Sequence, residues 1–139
     1  MIDLPSPVVR VLRLNAALAE RHAARGQTFD PWPVLKLFNP AGAATWIATE
    51  LADDGDTLFG LADLGFGCPE LGSFSLFELA SVRLPFGLGI ERDVHFEPLA
   101  RLSVWAETAR RCGSIIGAEA ALRRARRDQL PSEPGGEGG

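Results

Sequence analysis

Val34-Leu35-Lys36-Leu37-Phe38, Asn39-Pro40-Ala41-Gly42, Thr45-Trp46-Ile47-Ala48-Thr49, Asp53-Asp54-Gly55-Asp56 and Thr57-Leu58-Phe59-Gly60-Leu61-Ala62 follow one another in the first half of the chain, and their reading decides the fold. Three short runs of aliphatic, aromatic and β-branched residues alternate with two clusters of turn-forming residues. Connections this short hold no crossover helix, so consecutive strands must run antiparallel. The stretch therefore predicts a β-meander.

Upstream, Ser6 suits an N-cap, Pro7 the first helical position and Gly26 a helix end. Between them Val8, Val11, Leu12, Ala16 and Ala19 share one face, which predicts an amphipathic helix packed on the sheet. Downstream, Leu64 to Gly72 carries Gly65, Gly67, Pro69 and Gly72 and reads as a loop. Ser75-Leu76-Phe77-Glu78 then matches a capping box, with Phe74 and Leu79 as its hydrophobic staple, so a short helix starts near Leu76 and ends before Pro85. Ile90-Glu91-Arg92-Asp93-Val94-His95-Phe96 alternates as a fourth strand does. Pro98 opens a helical region to about Arg127, with Leu99, Leu102, Trp105 and Ala109 at core spacing and Gly113 and Gly117 weakening its middle. The fold class expected is α+β, a small antiparallel sheet with one face covered by the N-terminal helix and the C-terminal helical region.

A chain of 139 residues accommodates one such domain and no second catalytic domain. That domain is expected over residues 1–127, with a disordered Pro/Gly/Glu tail over 128–139. No apolar run reaches the length of a membrane span, and the start lacks a signal-peptide pattern, so a cytoplasmic protein is expected. Cys68 and Cys112 stand alone, without metal-binding or redox spacing, as partly buried free thiols of a reducing compartment. Charge is unevenly spread: residues 50–97 hold ten acids against Arg83 and Arg92, between ends that are net basic.

Glu91, Asp93 and His95 form the one constellation with chemical potential. Period-two alternation puts them on one strand face, where two carboxylates and an imidazole suit a divalent metal or acid–base work, provided a second element converges on them. Glu50, Asp54, Asp56 and Glu70 are the candidates for that element; otherwise the three are the solvated face of a half-covered sheet. Arg92 falls on the opposite, apolar face and is expected in a structural ion pair. Arg110, Arg111, Arg123, Arg124, Arg126 and Arg127 are the candidate nucleic-acid contacts. Trp32, Trp46 and Trp105 read as core residues rather than a base-stacking platform. No nucleotide-binding glycine pattern, no GxSxG and no EF-hand spacing occurs, so no cofactor is expected.

Five segments taken in order, Leu35-Lys36-Leu37-Phe38-Asn39-Pro40, Thr45-Trp46-Ile47-Ala48-Thr49-Glu50, Gly55-Asp56-Thr57-Leu58-Phe59-Gly60, Glu70-Leu71-Gly72-Ser73-Phe74-Ser75-Leu76-Phe77-Glu78-Leu79 and Gly87-Leu88-Gly89-Ile90-Glu91-Arg92-Asp93-Val94-His95-Phe96, resemble the domain-of-unknown-function 2958 family. The resemblance covers a core of about residues 32–102, with the helical region 98–127 as an extension. Ile47 and Ser73 depart from the family pattern, which favours aromatic residues there. The family comprises small bacterial proteins of plasmids and integrative conjugative elements. The resemblance implies a mobile-element accessory role without naming a reaction, and together with the absence of a catalytic signature points to a non-enzymatic module that binds a protein partner. The two readings beside it are a metal-dependent hydrolase or nuclease using Glu91, Asp93 and His95, and a nucleic-acid-binding protein using the C-terminal arginines.

Overall fold

The computed structural model describes residues 2–129. Most of the expected tail, from residue 130 onward, lies outside the described residues.

Helix α1 spans Ser6–Ala24, with Pro5 rather than Ser6 as its N-cap and Pro7 in the first turn, where a missing N–H costs nothing. It stops at Gly26, whose φ of +67° lets its N–H reach the Ala23 carbonyl while Gln27 N–H reaches His22 at 2.8 Å. This is a Schellman end, with glycine at the left-handed position.

The meander forms as expected from β1 (Leu35–Phe38), β2 (Thr45–Leu51) and β3 (Thr57–Asp63). Two parts of the sheet differ from expectation. The end of the glycine-rich stretch is a strand, β4 (Glu70–Ser75), with Leu71 opposite Leu61 and Phe74 opposite Leu58. Its signal is faint because it is an edge strand with mostly accessible side chains and a glycine at its centre. The run Ile90–Phe96 instead yields a two-residue strand, β5 (Glu91–Arg92), beside β1. Asp93 ends it: the carboxylate accepts His95 N–H at 2.9 Å and the carbonyl accepts Phe96 N–H, an Asx turn that diverts the chain. The sheet thus has five strands in the order β4-β3-β2-β1-β5.

The remaining helices are α2 (Leu76–Ala80), α3 (Leu102–Cys112) and α4 (Ile115–Gln129). The C-terminal region is two helices because Gly113 adopts φ +78° between them, and Pro98 precedes α3 by four residues, with Leu99 at φ +64°. The helices cover both faces of the sheet. On one, Leu12 of α1 packs with Leu35, Leu37, Trp46, Ala48 and Leu58; on the other, Ile47 and Leu61 pack with Leu102, Trp105, Ala109, Ile115 and Ala118. One covered face was expected; Thr45-Trp46-Ile47-Ala48, buried at every position, requires two. No described helix is long and apolar enough to cross a membrane.

A bulge between Ala48 and Glu50 shifts the register of β2 against β3. The distortion pushes the Ile47 carbonyl toward Gly60, where a β-carbon would lie 1.9 Å from that oxygen. It also frees the Thr49 carbonyl, which accepts a 2.9 Å hydrogen bond from the buried Asn15 side chain of α1. Across the sheet, the wholly buried Asp63 carboxylate accepts Ile115 N–H at 2.9 Å, at the start of α4, and Gly65 N–H at 2.8 Å.

Gly60→Ala is expected to cost about 3 kcal/mol or more, because the clash is with backbone, which cannot swing aside. Asp63→Ala should lose about 1–3 kcal/mol by orphaning buried donors, and Asp63→Asn, which retains a side-chain acceptor, should lose less. Urea midpoints at unchanged slope measure all three variants.

Candidate functional site

The segment between α1 and β1 contains Asp30-Pro31-Trp32-Pro33, in which two prolines stiffen the backbone around a tryptophan. The segment is tied to the start of α3. Asp30 accepts Ser103 N–H at 2.9 Å and the Ser103 hydroxyl, its carbonyl accepts Arg101 Nη1 at 2.9 Å, and the Pro31 carbonyl accepts Leu102 N–H. Arg101, the N-cap of α3, provides no side-chain cap, so Asp30 caps the helix from 73 residues away. The indole of the buried Trp105 donates to the Pro98 carbonyl at 2.6 Å and fixes the other approach to α3.

These ties hold open an apolar groove of about 530 Å³ between α1 and the α3 start, with Val11, Phe29, Trp32, Val34 and Phe96 in its walls. Trp32 is 47% exposed and Val11 43%, and the Arg101 guanidinium lies 5.9 Å from the Trp32 ring. Of the three tryptophans expected in the core, Trp46 and Trp105 are there and Trp32 is not. The flanking prolines were the sequence signal for a presented aromatic; the distant tie to Ser103 had none.

The acidic strand face is arranged differently from the pattern expected. Asp93 is held at 3.4 Å by the ammonium of Lys36, which also contacts Glu119 of α4 at 2.8 Å. A second element does bring a carboxylate toward Asp93, and the Lys36 side chain, only 13% exposed, sits between the two. Glu91 and His95 are exposed, His95 beyond the Asx turn. Among the described residues no three His, Cys, Asp or Glu side chains gather in a metal-binding arrangement. Arg92 is half-buried at the sheet edge and makes no ion pair among the described residues, contrary to expectation; at the edge its long side chain stays accessible to water, and the cation that pairs with Asp93 is Lys36.

The supposed second-element acids have other duties. Asp56 accepts the Ser75 hydroxyl and Phe77 N–H, each at 2.7 Å, at the start of α2. Ser75 caps that helix as expected by accepting Glu78 N–H, without a return bond from the Glu78 carboxylate among the described residues. Glu50, at the bulge, lines a cleft against α1, where burial raises its pKa. Glu70 is exposed on β4.

Of the arginines, Arg123 pairs with Glu97 at 2.7 Å and Glu119 at 3.4 Å, and Arg126 with Glu97 at 3.6 Å. The Glu97 hydrogen bond keeps Arg123 protonated even more firmly than usual. Arg110, Arg111, Arg124 and Arg127 are exposed, without ion pairs among the described residues. Cys68 and Cys112, expected to be partly buried, are both exposed free thiols.

A model of the DUF2958 family, described as protein of unknown function, matches residues 7–116. The chain belongs to the DUF2958 family. No curated protein and no solved structure matches it. The DUF2958 match extends beyond the core inferred from the sequence at both ends, taking in most of α1 and all of α3. The groove, its Asp30 tie and Asp63 lie inside it, whereas Glu119 and the arginines from Arg123 onward lie outside.

In the β2–β3 turn, Asp54 accepts the Thr57 hydroxyl at 2.6 Å and Thr57 and Asp56 N–H at 2.8 Å, which lowers its pKa to about 2. Because the folded value lies below the unfolded one, the turn gains from the charged form above the ordinary 3.8 and loses that gain as pH falls through about 2. An NMR titration of the Asp54 carboxyl should show the low midpoint, and Thr57→Val should move it back toward the ordinary value.

Proposed function

We propose that this DUF2958 protein is a non-enzymatic accessory protein of a bacterial mobile element, acting in the cytoplasm by binding a protein partner, and that the Trp32 groove receives an apolar side chain of that partner. The observation that carries the reading is Trp32 itself: a half-exposed indole on a proline-braced segment, with Arg101 across from it, beside an apolar groove. Tryptophan and arginine are the side chains on which protein interfaces concentrate their binding energy. Hydrogen bonds donated by Ser103, Leu102 and Trp105 to Asp30, Pro31 and Pro98 hold the walls before any partner arrives, which lowers the ordering cost of association. The exposed cysteines suit a reducing compartment.

A second reading, nucleic-acid binding, is favoured by the exposed arginines at the ends of α3 and α4. It has fewer free charges than the sequence suggests, since Glu97 holds Arg123 and Arg126.

Capture from cells carrying the element should return a protein held by the wild-type chain and released by Trp32→Ala, with a loss of about 2 kcal/mol or more in affinity. Trp32→Ala should leave the unfolding transition near that of wild type, because half of the ring is already in water. Equal retention by both chains would overturn the reading. Salt-sensitive retention on DNA, lost when Arg110, Arg111, Arg124 and Arg127 become alanine, would favour the second one.

A further inference from the structure

The floor of the Trp32 groove is polar. Asn15 of α1 lines it at 8% exposure, beneath a rim on which Val11 and Trp32 are nearly half exposed. The Asn15 amide nitrogen donates to the Thr49 carbonyl at 2.9 Å. A backbone carbonyl can only accept, so this bond fixes which end of the amide is which and leaves Oδ1 as the free end. Oδ1 accepts no hydrogen bond among the described residues, and none of their fully buried side-chain nitrogen or oxygen atoms lacks a partner. It is therefore accessible, and the groove is the opening it faces. A second polar group stands at the rim, where the exposed Arg101 guanidinium gives Nη1 to the Asp30 carbonyl. Arg101 makes no ion pair among the described residues, since the Asp30 carboxylate is taken by Ser103.

We propose that the groove takes an amphipathic aromatic side chain of the partner, tryptophan or tyrosine, whose ring lies against the apolar walls and whose N–H or O–H donates to Asn15 Oδ1. An acidic residue beside that anchor in the partner's sequence pairs with Arg101. The inference rests on the reading of the groove as the partner site and adds the chemistry of what enters it. A purely hydrocarbon side chain would strip water from Oδ1 and offer no donor in its place, which opposes its own burial. Serine or asparagine would satisfy Oδ1 and leave the walls of Phe29, Val34 and Phe96 uncovered. Lysine or arginine would bring a cation to a groove whose one ionised lining residue is Arg101. A backbone N–H is flanked by its own side chains and stays near the rim, above an acceptor as deeply buried as Asn15. A ring with its donor on the far edge meets both the apolar walls and the polar floor.

Indole and benzofuran share a bicyclic shape; indole carries an N–H, and benzofuran carries none and is the more apolar. In NMR titrations of the full wild-type chain, indole should shift the Trp32 ring and Asn15 side-chain amide signals. It should bind about tenfold or more tightly than benzofuran, although transfer from water alone favours benzofuran. N-acetyltryptophan should bind about threefold or more tightly than its uncharged amide at low salt, a preference that Arg101→Gln abolishes. Benzofuran binding as tightly as indole, or no shift at Trp32 and Asn15 with millimolar indole, would overturn the aromatic-donor anchor. A carboxylate preference that is absent, or unchanged in Arg101→Gln, would overturn the acidic neighbour. Either failure beside a Trp32-dependent capture of a partner would leave the groove reading standing, so the two are separable.

Discussion

Each of α2, α3 and α4 begins on a carboxylate supplied from elsewhere in the chain, and the tertiary structure hangs on these three contacts. Asp56 holds the start of α2, Asp30 that of α3 and Asp63 that of α4. A helix N-terminus presents unpaired N–H donors and a partial positive charge, so a carboxylate that reaches it satisfies donors and dipole together. Asp63 does so at full burial, where an unpaired charge would be far more costly than at the surface. Two of the acids that make the middle of this chain so negative, Asp56 and Asp63, are consequently joints between its secondary-structure elements, and Asp30, ahead of the sheet, is a third joint.

The bulge in β2 does for α1 what the aspartates do for the later helices. It frees the Thr49 carbonyl, Asn15 of α1 satisfies it, and Gly60 tolerates the displaced backbone because it has no β-carbon. With α1 seated on one face of the sheet and α3 on the other, the linker between α1 and β1 must cross the edge between them. Its Asp30 cap and the bond from Leu102 N–H to the Pro31 carbonyl hold it there with Trp32 facing water. The groove is thus a by-product of helix capping, and its rigidity comes from the same bonds that support the fold.

The same economy governs the charges that invited an enzymatic reading. Asp93 and Glu119 share Lys36, and Glu97 holds Arg123 and Arg126, so one chain of ion pairs joins the sheet edge to α4. Lys36 pairs across the ladder with Ile47 on the face covered by α4, and its partial burial explains why it recruits two carboxylates.

Local order along the chain was legible where the physics is local. The Pro7 start and Gly26 end of α1, the meander, the turn at Asp54 and the Ser75 cap all depend on residues within a few positions of one another, and the sequence determined them. The alternation of Ile90 to Phe96 was read correctly for Glu91 and Arg92 and misled from Asp93 onward, because an Asx turn at Asp93 competes with continued pairing. Strand β4 was hidden because an edge strand buries too little to impose an apolar pattern. Which carboxylate caps which helix, which cation neutralises Asp93, and which tryptophan is left in water were decided only by the tertiary structure. The three capping contacts join residues 21, 52 and 73 positions apart, and no periodicity or spacing records a partner that proximity in the fold alone selects.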